Sequence, residues 1–460
     1  MASQIHTICE YQGFYRSRDD DISLDSVEDR ERGLFKLPRA QFDELERLAL
    51  SEQDDEDVLS FMQMGTRKGY GKIIKAKNYV GVIRFKNGTQ IEILPKIDLG
   101  RNDCDHQKAK EVFLRMLATL MKDDYKTAGL ANIDSRRMPL FEIFIRMFTD
   151  RVLLLVQRGI NGAYTMVSEN ERFFKGRLLV AQQIRNNLIH RERFYVAYDV
   201  FSRNAPENRL IKKTLCQIRG QTSSPQNKRD IEELLSFFFD GIPESHNIKA
   251  DLQSTSAIRL RNELYDTILI WCEVFLRQEG FTTFTGLHET QTLLFPMEKL
   301  FEAYVAKCFS TNAPKGWRIT AQRGHKMLFD RADNNYQKAF KLKPDLIMDY
   351  HNKSESRDIK VVADTKWKRL TTNNPRRPHY GIAQSDMYQM YAYLKKFGAK
   401  RVHLIYPKHS GGDFPKTFKR YGEVSGDVDV CISIFDLSKG LRDAETKNFV
   451  QCILDIEWGQ

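Results

Sequence analysis

One group of residues in the sequence has the types and spacing needed to hydrolyse phosphodiester bonds. Pro344-Asp345 is followed, after eighteen intervening residues, by Asp364-Thr365-Lys366. Carboxylate oxygens are ligands that Mg²⁺ prefers, and an ammonium group beside them can orient an attacking water or stabilise a pentacovalent phosphate. The structural alternative for these residues is a surface salt bridge between Lys366 and either aspartate.

The spacing also predicts that the two aspartates lie together. Apolar, strand-like runs flank the polar segment NKSESR (352–357), and a hairpin that turns in the middle of this segment places Asp345 opposite Asp364. Strand alternation puts Lys366 on the same face as Asp364. Because like charges directly opposite each other destabilise a sheet, the pair favours a bound divalent cation. We therefore expect a Mg²⁺ site at which Mn²⁺ substitutes.

The next segment supplies further candidates. Gln389 and Tyr393 are four residues apart on a predicted helix at 385–398, where both can face the site. An amphipathic helix with a half-buried tyrosine is the alternative. Between strand and helix lies a basic segment, whose candidates for contacting phosphate groups are Lys368, Arg369, Arg376, Arg377 and His379. Solvent-exposed loops are often basic too, so this assignment has a structural alternative as well.

Composition indicates a globular protein with a basic surface. The 460 residues are 41% hydrophobic and 29% charged, which excludes a disordered chain and a disulfide scaffold. Lys and Arg outnumber Asp and Glu by 72 to 61, and the resulting charge of +11 favours a polyanionic partner.

Several common functions lack their motifs. The glycine-rich segment GTRKGYGK (65–72) is followed by Ile73, where a phosphate-binding loop needs Ser or Thr, so we expect no nucleotide to bind this chain itself. The seven cysteines contain no C-x-x-C pair and are expected to be reduced thiols. No apolar stretch is long enough to span a membrane, so we expect a cytoplasmic protein with no membrane partner.

The hydrophobic pattern divides the chain into three predicted regions and an α+β, multi-domain fold. Residues 1–106 look strand-rich, with Asn87-Gly88 as the turn of a hairpin at 79–97. Residues 107–284 have helical periodicity, and residues 285–460 mix strands and helices as in an α/β domain. Helices are predicted at 107–122, 140–159, 208–220, 229–241, 257–280, 293–311 and 385–398, and later strands at 317–329, 338–350, 358–368, 401–407 and 428–435.

The two acids, the lysine and the Gln-x-x-x-Tyr helix together resemble the PD-(D/E)xK nuclease superfamily. The whole chain resembles more specifically the McrC family, the endonuclease subunit of McrBC-type, 5-methylcytosine-specific restriction systems. The segments that carry this likeness are GVIRFKNGTQIEILPKI (81–97), GRLLVAQQIRNNL (176–188), YDVFSRNAPENRLIKKTL (198–215), LFEAYV (300–305), KPDLIM (343–348), DTKWK (364–368), SDMYQMYAYL (385–394) and LIYP (404–407).

The resemblance implies a restriction-endonuclease-like fold for residues 285–460 and a catalytic role for Asp345, Asp364, Lys366 and Gln389, with Tyr393 in support. A helical acid completes many such sites, and Glu302 is a better candidate than Glu298. The implied partners are an oligomeric AAA+ GTPase resembling McrB and double-stranded, modified DNA. Regions 1–106 and 107–284 would then engage and stimulate the GTPase.

Two other functions remain alternatives to a Mg²⁺-dependent endonuclease subunit. A self-sufficient Mg²⁺-dependent nuclease would cleave DNA without any partner. A non-enzymatic adaptor that activates a motor NTPase would bind no metal and would tolerate loss of the acids. The presence of Asp345, Asp364 and Lys366 together argues against the adaptor.

Overall fold

The computed structural model forms two compact units. The first comprises Met1–Arg137 with Phe281–Gln460, and the second is Met138–Gly280. The residues that the structure describes are 4–17, 29, 32–51, 61–85, 87–97, 105–122, 138–276, 291–321, 326–329, 339–352, 357–370, 378–408, 418–422 and 429–455.

Two four-stranded sheets and a helix form the beginning of the first unit. One sheet has the strand order β3-β2-β5-β4, and the other has the order β1-β7-β6-β11. Their elements are β1 (Ile5–Cys9), β2 (Gly13–Arg16), β3 (Leu34–Leu37), α1 (Arg39–Ser51), β4 (Met62–Arg67), β5 (Gly71–Ala76), β6 (Tyr79–Arg84), β7 (Gln90–Leu94) and β11 (Gln291–Pro296). Side chains from both sheets and from α1 share one apolar core, in which Phe14, Phe42 and Ile83 are fully buried.

The hairpin predicted at 79–97 is confirmed. Strands β6 and β7 pair antiparallel from Gly81 opposite Ile93 to Arg84 opposite Gln90. The glycine-rich segment 65–72 also forms part of a hairpin, since β4 and β5 pair up to Arg67 opposite Gly71. It therefore connects two strands, whereas a phosphate-binding loop connects a strand to a helix.

Strand β11 brings distant sequence into this sheet and corrects one prediction. The apolar run at 293–296 was expected to begin a helix, but Gln291–Pro296 pairs antiparallel with β6. Gly81 permits this pairing, because a Cβ atom there would lie 2.0 Å from the carbonyl oxygen of Leu293. The helix, α10 (Met297–Asn312), begins after Pro296 and packs beside α2 (His106–Leu120).

The rest of the first unit is a mixed sheet with helices. Its six strands have the order β12-β15-β16-β17-β19-β18, and a separate pair joins β13 to β14. The elements are β12 (Trp317–Ala321), β13 (Lys326–Phe329), β14 (Ala339–Leu342), β15 (Leu346–Asn352), β16 (Arg357–Thr365), α11 (Gln384–Phe397), β17 (Arg401–Pro407), β18 (Phe418–Gly422), β19 (Asp429–Phe435) and α12 (Ala444–Leu454). Met390, Tyr393 and Leu394 of α11 pack onto this sheet in a second apolar core.

The second unit contains helices and an unexpected sheet. Its elements are α3 (Leu140–Arg158), β8 (Ala163–Glu171), β9 (Arg177–Leu178), α4 (Val180–Asn187), β10 (Phe194–Ser202), α5 (Pro206–Arg219), α6 (Pro225–Glu233), a π-helical turn (Leu234–Phe238), α7 (Ile248–Ser254), α8 (Ser256–Arg261) and α9 (Glu263–Leu276). The three strands have the order β8-β10-β9. Along these strands polar and apolar residues alternate only in part, and the sequence pattern therefore did not predict the strands.

Further differences concern boundaries. The helix predicted at 257–280 is divided at Asn262, which has an extended backbone. The helix predicted at 385–398 is confirmed as α11, which begins one residue earlier, after the N-cap Ala383, and ends before Gly398, a C-cap in the left-handed conformation. The three-region division also differs from the observed units, because β11 pairs with β6 and α2 packs on α10, joining residues before 137 to those after 281.

Two predictions about chemistry are also answered in part. Cys9 is disulfide-bonded, contrary to the expectation of reduced thiols, whereas Cys216, Cys272, Cys308, Cys431 and Cys452 are free. Pairing depends on which cysteines the fold brings together, and sequence spacing does not reveal that. Among the described residues, no helix is long and apolar enough to cross a membrane.

Candidate active site

The two aspartates lie at the end of the β15–β16 hairpin. The antiparallel register runs from Asn352 opposite Arg357 to Leu346 opposite Ala363. The next pair in this register is Asp345 and Asp364, so the predicted juxtaposition is confirmed. Asp345 is fixed by Thr365, whose backbone N–H and hydroxyl each donate to Oδ2 of Asp345 at 2.7 Å.

Asp364 is buried in an unfavourable electrostatic environment. Its side chain is 4% exposed. Burial and then the nearby Asp345 carboxylate raise the pKa of Asp364 to about 6, although Lys366 and the Tyr393 hydroxyl act in the opposite direction. The ionised form is therefore destabilised by its surroundings, and a cation between the two carboxylates would remove part of that cost.

Lys366 contacts both the acid and the helix. Its Nζ lies 2.6 Å from Oδ2 of Asp364 and donates to Oε1 of Gln389 at 2.9 Å. Burial alone would lower the pKa of Lys366, but the charge of Asp364, with smaller contributions from Asp386 and Asp345, raises it. The salt bridge considered as the structural alternative is therefore present between Lys366 and Asp364, but it is largely buried and not at the surface.

The helix α11 completes the arrangement. Gln389 donates from Nε2 to the hydroxyl of Tyr393 at 2.7 Å, and that hydroxyl donates to the backbone carbonyl of Lys343 at 3.2 Å. Tyr393 is 1% exposed and packs in the second apolar core, so it is more deeply buried than the half-buried tyrosine of the structural alternative. We call Asp345, Asp364, Lys366 and Gln389 the acid–lysine centre.

One residue near this centre was missed by the sequence analysis. Asp386, in the first turn of α11, is 6% exposed, and both of its carboxylate oxygens accept hydrogen bonds from Nζ of Lys368, at 3.0 Å to Oδ1 and 2.8 Å to Oδ2. The hydroxyl of Tyr406 lies 3.5 Å from Oδ2 of Asp386. Its position three residues before Gln389, on the same helix face, was the available signal.

The predicted DNA-binding residues have different environments. Lys368 is paired with Asp386, although about half of its side chain remains exposed (51%). Arg369 is exposed, and Arg376 and Arg377 lie outside the described residues. His379 is exposed, with its ring centroid 5.9 Å from that of Tyr421.

The acids of α10 are not part of a metal cluster in the structure. No group of three or more His, Cys, Asp or Glu residues suited to a metal ion occurs among the described residues. Glu298 is exposed and accepts a hydrogen bond from Asn78 at 3.2 Å. Glu302 is half-buried, and its role as an additional acid stays a prediction.

The residues of the acid–lysine centre nevertheless fit a hard divalent cation. Mg²⁺ is commonly held by one or two carboxylates, with water and substrate phosphates as the remaining ligands. Asp345 and Asp364 supply two such groups, and the raised pKa of Asp364 reflects burial and the neighbouring carboxylate, a cost that a cation would reduce. Lys366 would occupy a neighbouring position without being a ligand.

These features define a mixed α/β protein with two aspartates and a lysine at the end of a β-hairpin. Residues 74–407 match the family described as McrBC 5-methylcytosine restriction system component. The chain belongs to this family, which confirms the resemblance to McrBC-type restriction systems that was drawn from its sequence.

Two solved structures are similar to the chain. One is a refined half-complex from a tetradecameric assembly of Thermococcus gammatolerans McrB AAA+ hexamers with bound McrC, with 21% identity, a TM-score of 0.64 and coverage of 98% of this chain and 99% of that chain. At this identity the likeness shows a shared fold. The other is a cryo-EM structure of the Thermococcus gammatolerans McrBC complex, with 22% identity, a TM-score of 0.46 and coverage of 68% and 89%. No curated protein matches the chain.

Proposed function

We propose that this chain is the Mg²⁺-dependent DNA endonuclease subunit of a modification-dependent restriction complex, with a PD-(D/E)xK-type active site. The observation that carries the proposal is the acid–lysine centre, in which Asp345 and Asp364 adjoin and Lys366 is held 2.6 Å from Asp364. Membership of the McrBC family supplies the restriction context. The raised pKa of Asp364 supports a cation at the pair.

Each residue of the centre has a distinct task in this proposal. Asp345 and Asp364 would hold the cation, which supplies Lewis-acid stabilisation of the scissile phosphate and a more acidic water. Lys366 places an ammonium beside the carboxylates, where it can orient the attacking water or neutralise charge developing on phosphate. Gln389 and Tyr393 restrict the position of Lys366 through a chain of hydrogen bonds.

We also propose that the chain acts with a McrB-like AAA+ GTPase. The similar assembly contains McrB AAA+ hexamers with bound McrC, and the two folds agree over almost the whole chain. The second unit offers a surface for such a partner, since Tyr164, Met166, Phe173 and Ile189 are all more than 60% exposed along its sheet and adjoining turns (74%, 63%, 81% and 87%). Exposed apolar groups of this kind mark interaction sites in many proteins.

The test is cleavage by a reconstituted complex. The chain would be combined with a McrB-like AAA+ GTPase from the same source, GTP, Mg²⁺ and methylated plasmid DNA. We expect the wild type to cleave and Asp364→Asn to lose cleavage by at least about a hundredfold, because an amide is a poor ligand for Mg²⁺. Asp349→Asn is the matched control, since Asp349 lies on the same hairpin but is paired with Lys360 at 3.6 Å.

The same experiment separates the alternatives. Equal cleavage without the GTPase would favour the self-sufficient nuclease. Cleavage by Asp364→Asn at the wild-type rate would contradict the proposed active site. A wild-type complex that hydrolyses GTP but cuts no DNA under any methylation pattern would favour the adaptor.

A further inference from the structure

A buried glutamate contacts the residue that follows Lys366 in the sequence. Glu10 follows strand β1 and is 1% exposed. Its two carboxyl oxygens accept hydrogen bonds from Nε1 of Trp367 at 3.1 and 3.2 Å, and Oε2 also accepts from the backbone N–H of Lys96 at 3.1 Å. Glu10 therefore links the sheet that contains β1 to Trp367, the residue that follows Lys366.

Trp367 lies between two lysines in the sequence, and each of the three side chains has its own binding partner. Lys366 is bound to Asp364 and Gln389, and Lys368 is bound to Asp386, whereas the indole N–H is bound to Glu10. The indole is 7% exposed, and its ring centroid lies 5.4 Å from that of Phe301 on α10. The segment 366–368 is thus held in two ways. Its two lysines bind acids and an amide of the site, and its tryptophan binds Glu10 at the end of β1.

Two backbone hydrogen bonds are made by this segment in the described part of the chain. The N–H of Lys366 donates to the carbonyl of Ile405 at 2.9 Å, which is the last interaction between β16 and β17. The N–H of Lys368 donates back to the carbonyl of Lys366 at 2.9 Å. The indole anchored by Glu10 thus belongs to the segment in which the chain leaves β16, immediately after Lys366.

We propose that Glu10 is a positioning residue for Lys366, acting through the indole of Trp367. The inference rests on the proposed nuclease function of the acid–lysine centre. Glu10 touches neither the carboxylates nor the lysine amine, so its effect is on geometry. Removing the acceptor leaves a buried indole N–H without a partner, and the tryptophan then moves to satisfy it.

The environment of Glu10 suggests an informative substitution. Burial, with a smaller contribution from Glu298, raises the pKa of Glu10 to about 8, although Lys96 and Trp367 act in the opposite direction. At neutral pH the carboxyl group is therefore mostly uncharged. Gln has the same shape and keeps one carbonyl oxygen as acceptor, so Glu10→Gln should preserve the position of Trp367.

The experiment compares Glu10→Ala, Glu10→Gln and Trp367→Phe in the full-length chain reconstituted with its GTPase on methylated DNA. Cleavage in a single turnover and the dissociation constant for DNA would be measured separately. Hydrogen–deuterium exchange of the peptide containing 364–368 would report on the backbone without requiring activity. The matched control is Trp271→Phe, because Trp271 is fully buried and its Nε1 has no hydrogen-bond partner among the described residues.

We expect Glu10→Ala and Trp367→Phe to slow cleavage by about tenfold to a hundredfold, as small displacements of a catalytic group do. DNA affinity should change less than about twofold, exchange at 366–368 should accelerate, and Glu10→Gln should remain within about threefold of the wild type in rate. If Glu10 and Trp367 only stabilised the fold, Glu10→Ala and Trp367→Phe would lower the folded fraction, and the cleavage rate and the DNA affinity would fall together. The control Trp271→Phe shows what such a purely structural loss looks like.

Wild-type rates and unchanged exchange in both Trp367→Phe and Glu10→Ala would overturn the inference, as would a Glu10→Gln variant as impaired as Glu10→Ala. Trp367→Phe keeps the test decisive if Glu10→Ala fails to fold. If the wild-type complex itself cleaves no DNA, the proposed function fails, and the exchange measurement then decides the inference by itself.

Discussion

Asp364 is the residue on which the electrostatics of the site depend. It is buried beside another carboxylate, and the ion pair with Lys366 offsets this cost only in part, so the pKa of Asp364 is raised to about 6. The sequence predicted the pair of aspartates, because register follows from the length of the hairpin. It did not predict Asp386 or Glu10, since neither belongs to a motif and the contact from Glu10 to Trp367 spans 357 residues.

The first prediction at this scale concerns stability without metal. A folded-state pKa above the ordinary value means that Asp364 favours folding below about pH 4 and loses this contribution as pH rises through about 6. At pH 8 the free energy of unfolding of Asp364→Asn should therefore exceed that of the wild type by about 1–3 kcal/mol. The variant should accordingly unfold at a higher urea concentration. The two should be equally stable near pH 4.

The measurement is urea unfolding of the metal-free proteins followed by circular dichroism at pH 4, 6 and 8. Asp349→Asn serves as the control, because its carboxylate is already paired with Lys360. A wild type that is more stable than Asp364→Asn at pH 8 would contradict the described environment of Asp364.

At the scale of elements, strong local patterns were predicted and long-range pairings were not. The Asn87-Gly88 hairpin and the strand at 401–407 were placed correctly because alternation, turn residues and length agreed. Strand β11 was taken for the start of a helix, since TLLFP is short and its partner β6 is about 200 residues away in sequence. The sheet of the second unit was missed because its outward faces carry apolar residues.

The connection between β16 and α11 gives the prediction at the scale of elements. Arg376 and Arg377 lie in its basic sequence, whereas Lys368 is already bound to Asp386. Changing both arginines to Ala should flatten the slope of log affinity against log salt by up to about two phosphate equivalents. Lys368→Ala should flatten it by less than about one.

Binding would be followed by fluorescence anisotropy with one labelled duplex at several salt concentrations, and the affinity loss should be similar for unrelated duplexes. An unchanged slope for the double variant would indicate a solvated basic loop. A larger effect from Lys368→Ala than from the arginines would show that its pairing with Asp386 does not persist on DNA.

At the scale of the whole molecule, the unit that contains the site is discontinuous in sequence. The first unit joins residues before 137 to residues after 281, through β11 on β6 and α10 beside α2. A cut near residue 280, which the three-region prediction would suggest, would remove β11 from its sheet. Partner engagement and chemistry should therefore be separated by point substitutions in the intact chain.

Such substitutions lead to a prediction about the GTPase. Full-length Asp364→Asn should stimulate GTP turnover of the partner normally, because its defect is confined to the acid–lysine centre. The double variant Phe173→Ser, Ile189→Ser should retain metal binding but lose stimulation by at least about tenfold, since it removes exposed apolar groups of the second unit.

Phosphate release measures the GTP turnover of the partner with each variant. Leu260→Ser is the control for the surface substitutions, because Leu260 is 90% exposed and lies in α8, outside the sheet of the second unit. Full stimulation by the double variant would place the partner surface elsewhere, and loss of stimulation in Asp364→Asn would show that the two functions are not separable.

If Asp345 and Asp364 together bind a divalent cation, isothermal titration of the purified chain with Mn²⁺ detects that binding without any partner or DNA. We expect the wild type and Asp349→Asn to bind the ion and the double variant Asp345→Asn, Asp364→Asn to lose binding, with circular dichroism showing that all three are folded. Lys366→Ala should still bind, since an ammonium group is not a ligand. Undiminished binding of Mn²⁺ by the folded double variant would contradict the account.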